Sequence, residues 1–188
     1  MKSIMKRSEI QLLTSLIGKK FLHLVSANLT PDLVGDSVYV VTEFDSIKIG
    51  SRVVVLNFEG IDEEYTVLTV SSLESGVLSG NRNSQDRFYK FSNEEIIQGY
   101  VFRETITEYE NDVENWTYES DVAVVFQLKS GFISVSKDTH NNGVLQVEYL
   151  YDLETLTNVP NLYSDNLFVT HTISRSKVSF SDSLEELN

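Results

Sequence analysis

Asp121-Val122-Ala123-Val124-Val125-Phe126-Gln127-Leu128-Lys129-Ser130-Gly131-Phe132-Ile133-Ser134-Val135-Ser136-Lys137 is the stretch that sets the architecture. Val122, Val124, Phe126 and Leu128 recur with a period of two and share one face. Ala123 and Val125 make the opposite face apolar as well, which marks a strand buried on both sides. Ser130-Gly131 is a tight connection, and Phe132–Lys137 reads as the next strand. A loop ending in Asn142-Gly143, a strong reverse-turn pair, leads to Val144–Leu150. Val122–Lys129, Phe132–Lys137 and Val144–Leu150 are therefore expected to form an antiparallel meander.

The same alternation extends through the chain. Val53–Phe58 places Val54, Leu56 and Phe58 on one face, and Tyr65–Val70 alternates with Thr66 and Thr69. Phe21–Val25, Val38–Glu43, Tyr100–Tyr109 and Leu167–Ile173 are further strands. Helical spacing is clear near the start, where Ile10, Leu13 and Ile17 make a stripe widened by Leu12 and Leu16. Ser8 is the expected cap, with Gly18 at the left-handed end. Ser92-Asn93-Glu94-Glu95, followed by Ile96, Ile97 and Gly99, has the capping-box form of a short second helix. Ser181–Leu187 reads as a terminal helical segment. The expected fold is α+β and mainly β: antiparallel sheets in a two-layer or barrel-like body with an N-terminal helix.

With 188 residues, 41% of them hydrophobic, the chain can bury a real core, and it reads as a single compact domain over 1–188. An internal duplication is also considered. Helix, Gly18, strand, polar stretch and the long strand Arg52–Phe58 are echoed by Gly99, Tyr100–Ile106 and Val122–Leu128. The pseudo-repeat halves would be 1–80 and 81–188, joined through the linker-like Gly76–Gln85.

Charge is divided unevenly. The first twenty residues carry five Lys/Arg and one acid, while the whole chain carries −13. Such a charge repels phosphate backbones and anionic membranes, so neither nucleic acid nor a membrane is expected as a partner. A basic N-terminus on an acidic body makes docking within the chain, or head to tail in a homo-oligomer, a natural expectation. Glu9, Gln11, Thr14 and Ser15 interrupt any signal-peptide core. No apolar run approaches the roughly 20 residues of a spanning helix. There is no Cys, hence no disulfide, thiolate chemistry or Cys-ligated zinc. These features read as a cytoplasmic protein.

Motifs of catalysis do not hold up. Gly35-Asp36-Ser37 resembles the start of a GDS-type esterase motif, but no apolar strand runs into it. Neither His140 nor His171 has an Asp three residues earlier. Asp138–Gly143 resembles the first half of a calcium loop, yet position 12 is Tyr149 where a bidentate Glu is needed. His23, His140 and His171 share no metal spacing. Isolated glycines build no phosphate loop. Arg82, Arg87 and Lys90, interleaved with Phe88, Tyr89 and Phe91, are a basic cluster expected to pair with surrounding acids. No cofactor and no metal are expected, and the chain reads as non-enzymatic.

The strongest surface signal runs from Glu104 to Asp121. Glu104, Glu108, Glu110, Asp112, Glu114, Glu119 and Asp121 stand there without a Lys or Arg beside Tyr109, Trp116 and Tyr118. Concentrated negative charge steers basic partners, and Trp and Tyr anchor interfaces. Glu108, Tyr109, Glu110, Asp112, Glu114, Trp116 and Tyr118 are the candidate binding residues for a basic protein partner. The competing reading is a charged hairpin end with its turn at Asn111-Asp112 and Asn115, and Trp116 tucked inward.

In composition and layout the chain resembles small bacterial proteins of unknown function and acidic immunity-type proteins that neutralise toxins. No motif carries that likeness, so no residue role follows from it. Two alternatives remain beside the binding module. One is a small-ligand β-domain whose pocket is lined by Tyr39, Tyr65, Tyr100, Tyr149, Tyr151 and Tyr163. The other is a hydrolase whose acids meet His23 or His171 only in three dimensions.

Overall fold

The computed structural model describes residues 1–26, 35–58, 60–73, 87–90, 93–138, 143–158 and 168–187, with 87–90 described by their backbone. The chain opens with β1 (Lys2–Ser3) and helix α1 (Arg7–Thr14). A meander follows, made of β2 (Phe21–Ser26), β3 (Ser37–Thr42), β4 (Ser46–Phe58) and β5 (Ile61–Ser72). Strand β6 (Arg87–Lys90) then returns to pair with β2. The second sheet begins with β7 (Gln98–Glu110), β8 (Val113–Gln127), β9 (Phe132–Lys137) and β10 (Leu145–Leu150). After the short helix α2 (Glu154–Thr157), β11 (Val169–Ser179) returns to β7, and helix α3 (Phe180–Glu186) ends the fold. The architecture is α+β and mainly β, with antiparallel sheets and a short N-terminal helix. The expected meander is present as β8–β9–β10. Among the described residues, no helix is long and apolar enough to cross a membrane.

The sheets run β5-β4-β3-β2-β6 and β10-β9-β8-β7-β11, the same order shifted by five strands. By place in the sheet, β3 corresponds to β8 and β4 to β9, so the sequence comparison of Arg52–Phe58 with Val122–Leu128 is one strand out of step. Because β6 belongs to the first sheet, the change of sheet falls between Lys90 and Gln98, after residue 80. The stretch Gly76–Gln85 lies outside the described residues.

The main core lies where the two sheets and α1 meet. Val38, Val40, Ile47 and Ile49 meet Val101, Val124, Phe126 and Ile133, with Ile10, Leu13 and Leu16 of the helical segment. The helix starts one residue before the expected cap. Lys6 is the extended N-cap residue, and its amide donates to Glu9 Oε2 at 2.7 Å. Gly18 takes the left-handed conformation expected of it, with φ +82°.

Two expectations change for physical reasons. Residues 93–97 form no helix. Phe21 N donates to Glu94 O, Ile96 N to Lys19 O and Ile97 N to Gln127 O, at 2.8–2.9 Å. Ile96 is fully buried, and an extended path is the one that satisfies these amides. One turn of helix could not offset its own nucleation cost. The terminal Gly99 instead lies within β7, where an added Cβ would sit 1.9 Å from the Phe180 ring. The second change concerns Val122. A bulge at the Phe102/Arg103 step leaves Val122 without a cross-strand partner. Val124, Phe126 and Leu128 face the main core, but Val122 joins Phe102, Ala123 and Val125 on the other face near Leu156 of α2.

Candidate functional site

The turn of the β7–β8 hairpin is Asn111-Asp112. Glu110 pairs with Val113, and both turn residues have positive φ (51° and 62°), the geometry of a tight two-residue hairpin. Asn115, expected in the turn, is instead the extra residue of a second bulge, and its side chain donates to Glu108 Oε1 at 2.8 Å. Glu110, Asp112 and Glu114 are exposed. Val113 is 68% exposed, and Phe168 beside it is 65% exposed, its carbonyl accepting from Asn111 N.

The structure divides the candidate residues between surface and interior. Glu110, Asp112 and Glu114 are at the surface, and Tyr109 is half-buried. Glu108 is engaged by Asn115 and by His171 Nε2 at 3.2 Å. Tyr118 is fully buried, so it anchors the hairpin from inside and is no contact residue. Pairing explains this. Tyr118 stands opposite Ile106 on β7, which in turn stands opposite Ile173 on β11. Trp116 is half-buried, in keeping with the tucked-in reading.

Trp116 and Tyr118 pack against the other long hairpin. The rings of Phe58 and Trp116 are 4.5 Å apart, and those of Tyr65 and Tyr118 are 4.6 Å apart. Phe58, Tyr65, Ile106 and Tyr118 form one buried cluster, with Val54, Leu56, Trp116 and Ile173 against it. Each such aromatic pair adds about 0.5–1.5 kcal/mol beyond its area. Phe58 pairs with Ile61, so the cluster reaches the end of β4–β5. That end is also acidic: Asp62, Glu63 and Glu64 are exposed, and Ile61 is 66% exposed. Sequence reasoning missed this half of the surface, although three consecutive acids after Gly60 were there to be seen.

Behind the hairpins lie buried charges. Arg103 Nε donates to Asp121 Oδ1 at 2.9 Å, Met5 N donates to Asp121 Oδ2 at 2.7 Å, and Arg103 Nη1 reaches Glu186 Oε2 at 2.7 Å. Burial pushes the Asp121 pKa up, against the opposing pull of the Met5 amide and Arg103. On the other face of β7, Glu104 pairs with Arg175 at 2.6 Å. Lys137 Nζ donates to Ser120 Oγ at 3.1 Å, and burial pushes its pKa down. Glu104 and Asp121, members of the acidic run, are thus structural. The basic N-terminus docks on this body: Lys2 pairs with Glu119 at 2.8 Å, and Lys19 pairs with Asp45.

The tyrosines of the small-ligand reading fall in different surroundings, although the rings of Tyr149 and Tyr151 meet at 5.4 Å. Tyr65 belongs to the aromatic cluster, Tyr100 packs near Leu156, and Tyr151 is 84% exposed. Tyr163, His140, and Phe91 and Arg82 of the basic cluster lie outside the described residues, as do the side chains of Arg87–Lys90. Among the described residues no three His, Asp or Glu side chains group as a metal site. One cleft of about 410 Å³ lies between the N-terminal segment and β4–β5, lined by Lys2, Ser3, Ile4, Lys6, Glu9, Arg52, Val54, Val67, Leu68 and Thr69. None of the proposed tyrosines lines it. No family model matches the chain, and no curated protein or solved structure matches it.

Proposed function

We propose that the paired hairpin ends bind a basic protein partner without catalysis, in the manner of an immunity- or inhibitor-type protein of the cytoplasm. The observation that carries this reading is the union of two acidic tips. Asp62, Glu63 and Glu64 stand on one hairpin, and Glu110, Asp112 and Glu114 on the other, with their shafts held together by the Phe58–Trp116 and Tyr65–Tyr118 contacts. Exposed Ile61, Val113 and Phe168 supply apolar contact among the acids. Charge of one sign steers encounter, and apolar side chains amid it give a partner something to bury. Tight shafts present these groups without a large ordering cost.

The test is capture of a partner from the native host at low and high salt, with two neutralised variants beside the parent. One carries Glu110→Gln, Asp112→Asn and Glu114→Gln. The other carries Asp62→Asn, Glu63→Gln and Glu64→Gln. A basic protein lost at high salt, and bound about tenfold more weakly by each variant, is the expected result. A partner indifferent to both variants would sink the proposal.

A further inference from the structure

The cleft beside the middle of the β4–β5 hairpin has a chemistry opposite to that of the hairpin ends. Lys2, Lys6 and Arg52 line it, and its one carboxylate is already engaged. Glu9 Oε2 accepts from Lys6 N at 2.7 Å, and Glu9 Oε1 from Val70 N at 2.9 Å. Neither the Lys6 ammonium nor the Arg52 guanidinium has a carboxylate partner among the described residues. Lys2 is held by Glu119 in an exposed pair, worth at most about 1 kcal/mol, so it is available to a stronger anion. A cleft holding two cations without a carboxylate partner among the described residues stands out on a chain of net charge −13.

The walls add a second requirement. Arg52 and Val67 face each other across the ladder, and Val54 lies on the same face of β4 two residues on. Ile4 contributes further apolar surface. Ser3 also lines the cleft. At about 410 Å³ the cleft falls within the range of small-molecule sites, roughly 300–1,000 Å³, and exceeds a bare inorganic ion.

We infer that this cleft binds an organic phosphate of about nucleotide size, its charged head against Arg52, Lys6 and Lys2 and its apolar body against Val54, Val67 and Ile4. Arginine offers a planar fork suited to phosphate oxygens, and lysines add point charges that adjust to a polyanion. The site shares Val54 with the aromatic seam but none of the exposed acids of the hairpin ends, and it does not depend on their partner.

Titration of ADP, and separately of pyrophosphate, into the ¹⁵N-labelled full chain tests it. Saturable amide shifts at Ser3, Lys6 and Thr69 are expected, with ADP tighter than pyrophosphate because of the apolar wall. Arg52→Met should weaken ADP about tenfold, the loss of one charge-assisted contact. Lys48→Met, on the same strand outside the cleft, should change it by less than about twofold. The amide spectrum of each variant reports its folding directly. Absence of saturable shifts at these amides up to about 10 mM of either ligand would overturn the site. So would equal effects of the two substitutions. Pyrophosphate binding as tightly as ADP would overturn the assigned apolar body.

Discussion

One hairpin carries both electrostatic extremes of the molecule. Midway along it, Arg52 of β4 lines a cationic cleft; at its end, Asp62, Glu63 and Glu64 of β5 belong to the acidic surface. Along the ladder Glu64 stands opposite Val55, Glu63 opposite Leu56 and Asp62 opposite Asn57, three to five residues or about 10–17 Å of strand from Arg52. The Debye length at physiological ionic strength is about 8 Å, so the acids are largely screened from the cleft in the cell and strongly coupled to it in dilute buffer. Net charge describes neither. The cleft is positive because Lys2, Lys6 and Arg52 outnumber its one carboxylate, Glu9, while the ends stay negative because Glu110 and Asp112 meet no cation among the described residues.

Breaking the scaffold of one region while sparing the other should have the largest effect. Phe58 is 6% exposed and touches Trp116, Tyr65 and Tyr118, so Phe58→Ala should cost about 3–5 kcal/mol in urea unfolding. It should abolish capture of the basic partner while ADP still shifts the cleft amides of the folded fraction. A loss below about 1 kcal/mol would mean that the hairpins are not joined as described.

Lys137 sits behind both regions, and its test is a pH series. Its folded-state pKa is lowered by burial, so the unfolded chain holds the proton to higher pH. Stability should therefore rise as pH climbs from the lowered value towards the ordinary lysine value of about 10.4. Lys137→Met removes the buried cation and should be neutral or stabilising by about 1 kcal/mol at pH 7. That advantage should shrink as pH approaches 10.4; a gap constant with pH would contradict the assignment.

Salt sharpens the comparison further. Neutralising Asp62, Glu63 and Glu64 together should tighten ADP about two- to threefold at 10 mM salt, where the Debye length is about 30 Å, and by less than about 1.5-fold at 150 mM. Equal tightening at both concentrations would show that the regions share more than a screened field. The smallest expected effect belongs to Val113→Ser with Phe168→Ser. Both side chains are well exposed, so stability should move by no more than about 0.5 kcal/mol while partner capture falls.

Much of the fold was legible because strand periodicity is local. The β8–β9–β10 meander, the α1 stripe and the Asn111-Asp112 turn follow from residues a few positions apart. The face of Val122 is not legible because a bulge depends on the partner strand, nor is the extended path of residues 94–97, because their backbone groups bond to residues near 20 and 127. The candidate site was half legible. The acids of β7–β8 stood out as a run, but Tyr118 was taken for a surface residue, since nothing local announces that Phe58 and Tyr65 will cover it.

By itself, the sequence determined a mainly antiparallel β body with an N-terminal helix, an acidic surface and the absence of cysteine chemistry. These depend on composition and short-range spacing, which any chain of these residues carries. Only the tertiary structure decided that two hairpins share an aromatic seam, that Glu104 and Asp121 are interior, and that Lys6 and Arg52 line one cleft. Each of these brings together residues some 40 to 60 positions apart or more, and such contacts are selected by the global packing of two sheets, which no local pattern encodes.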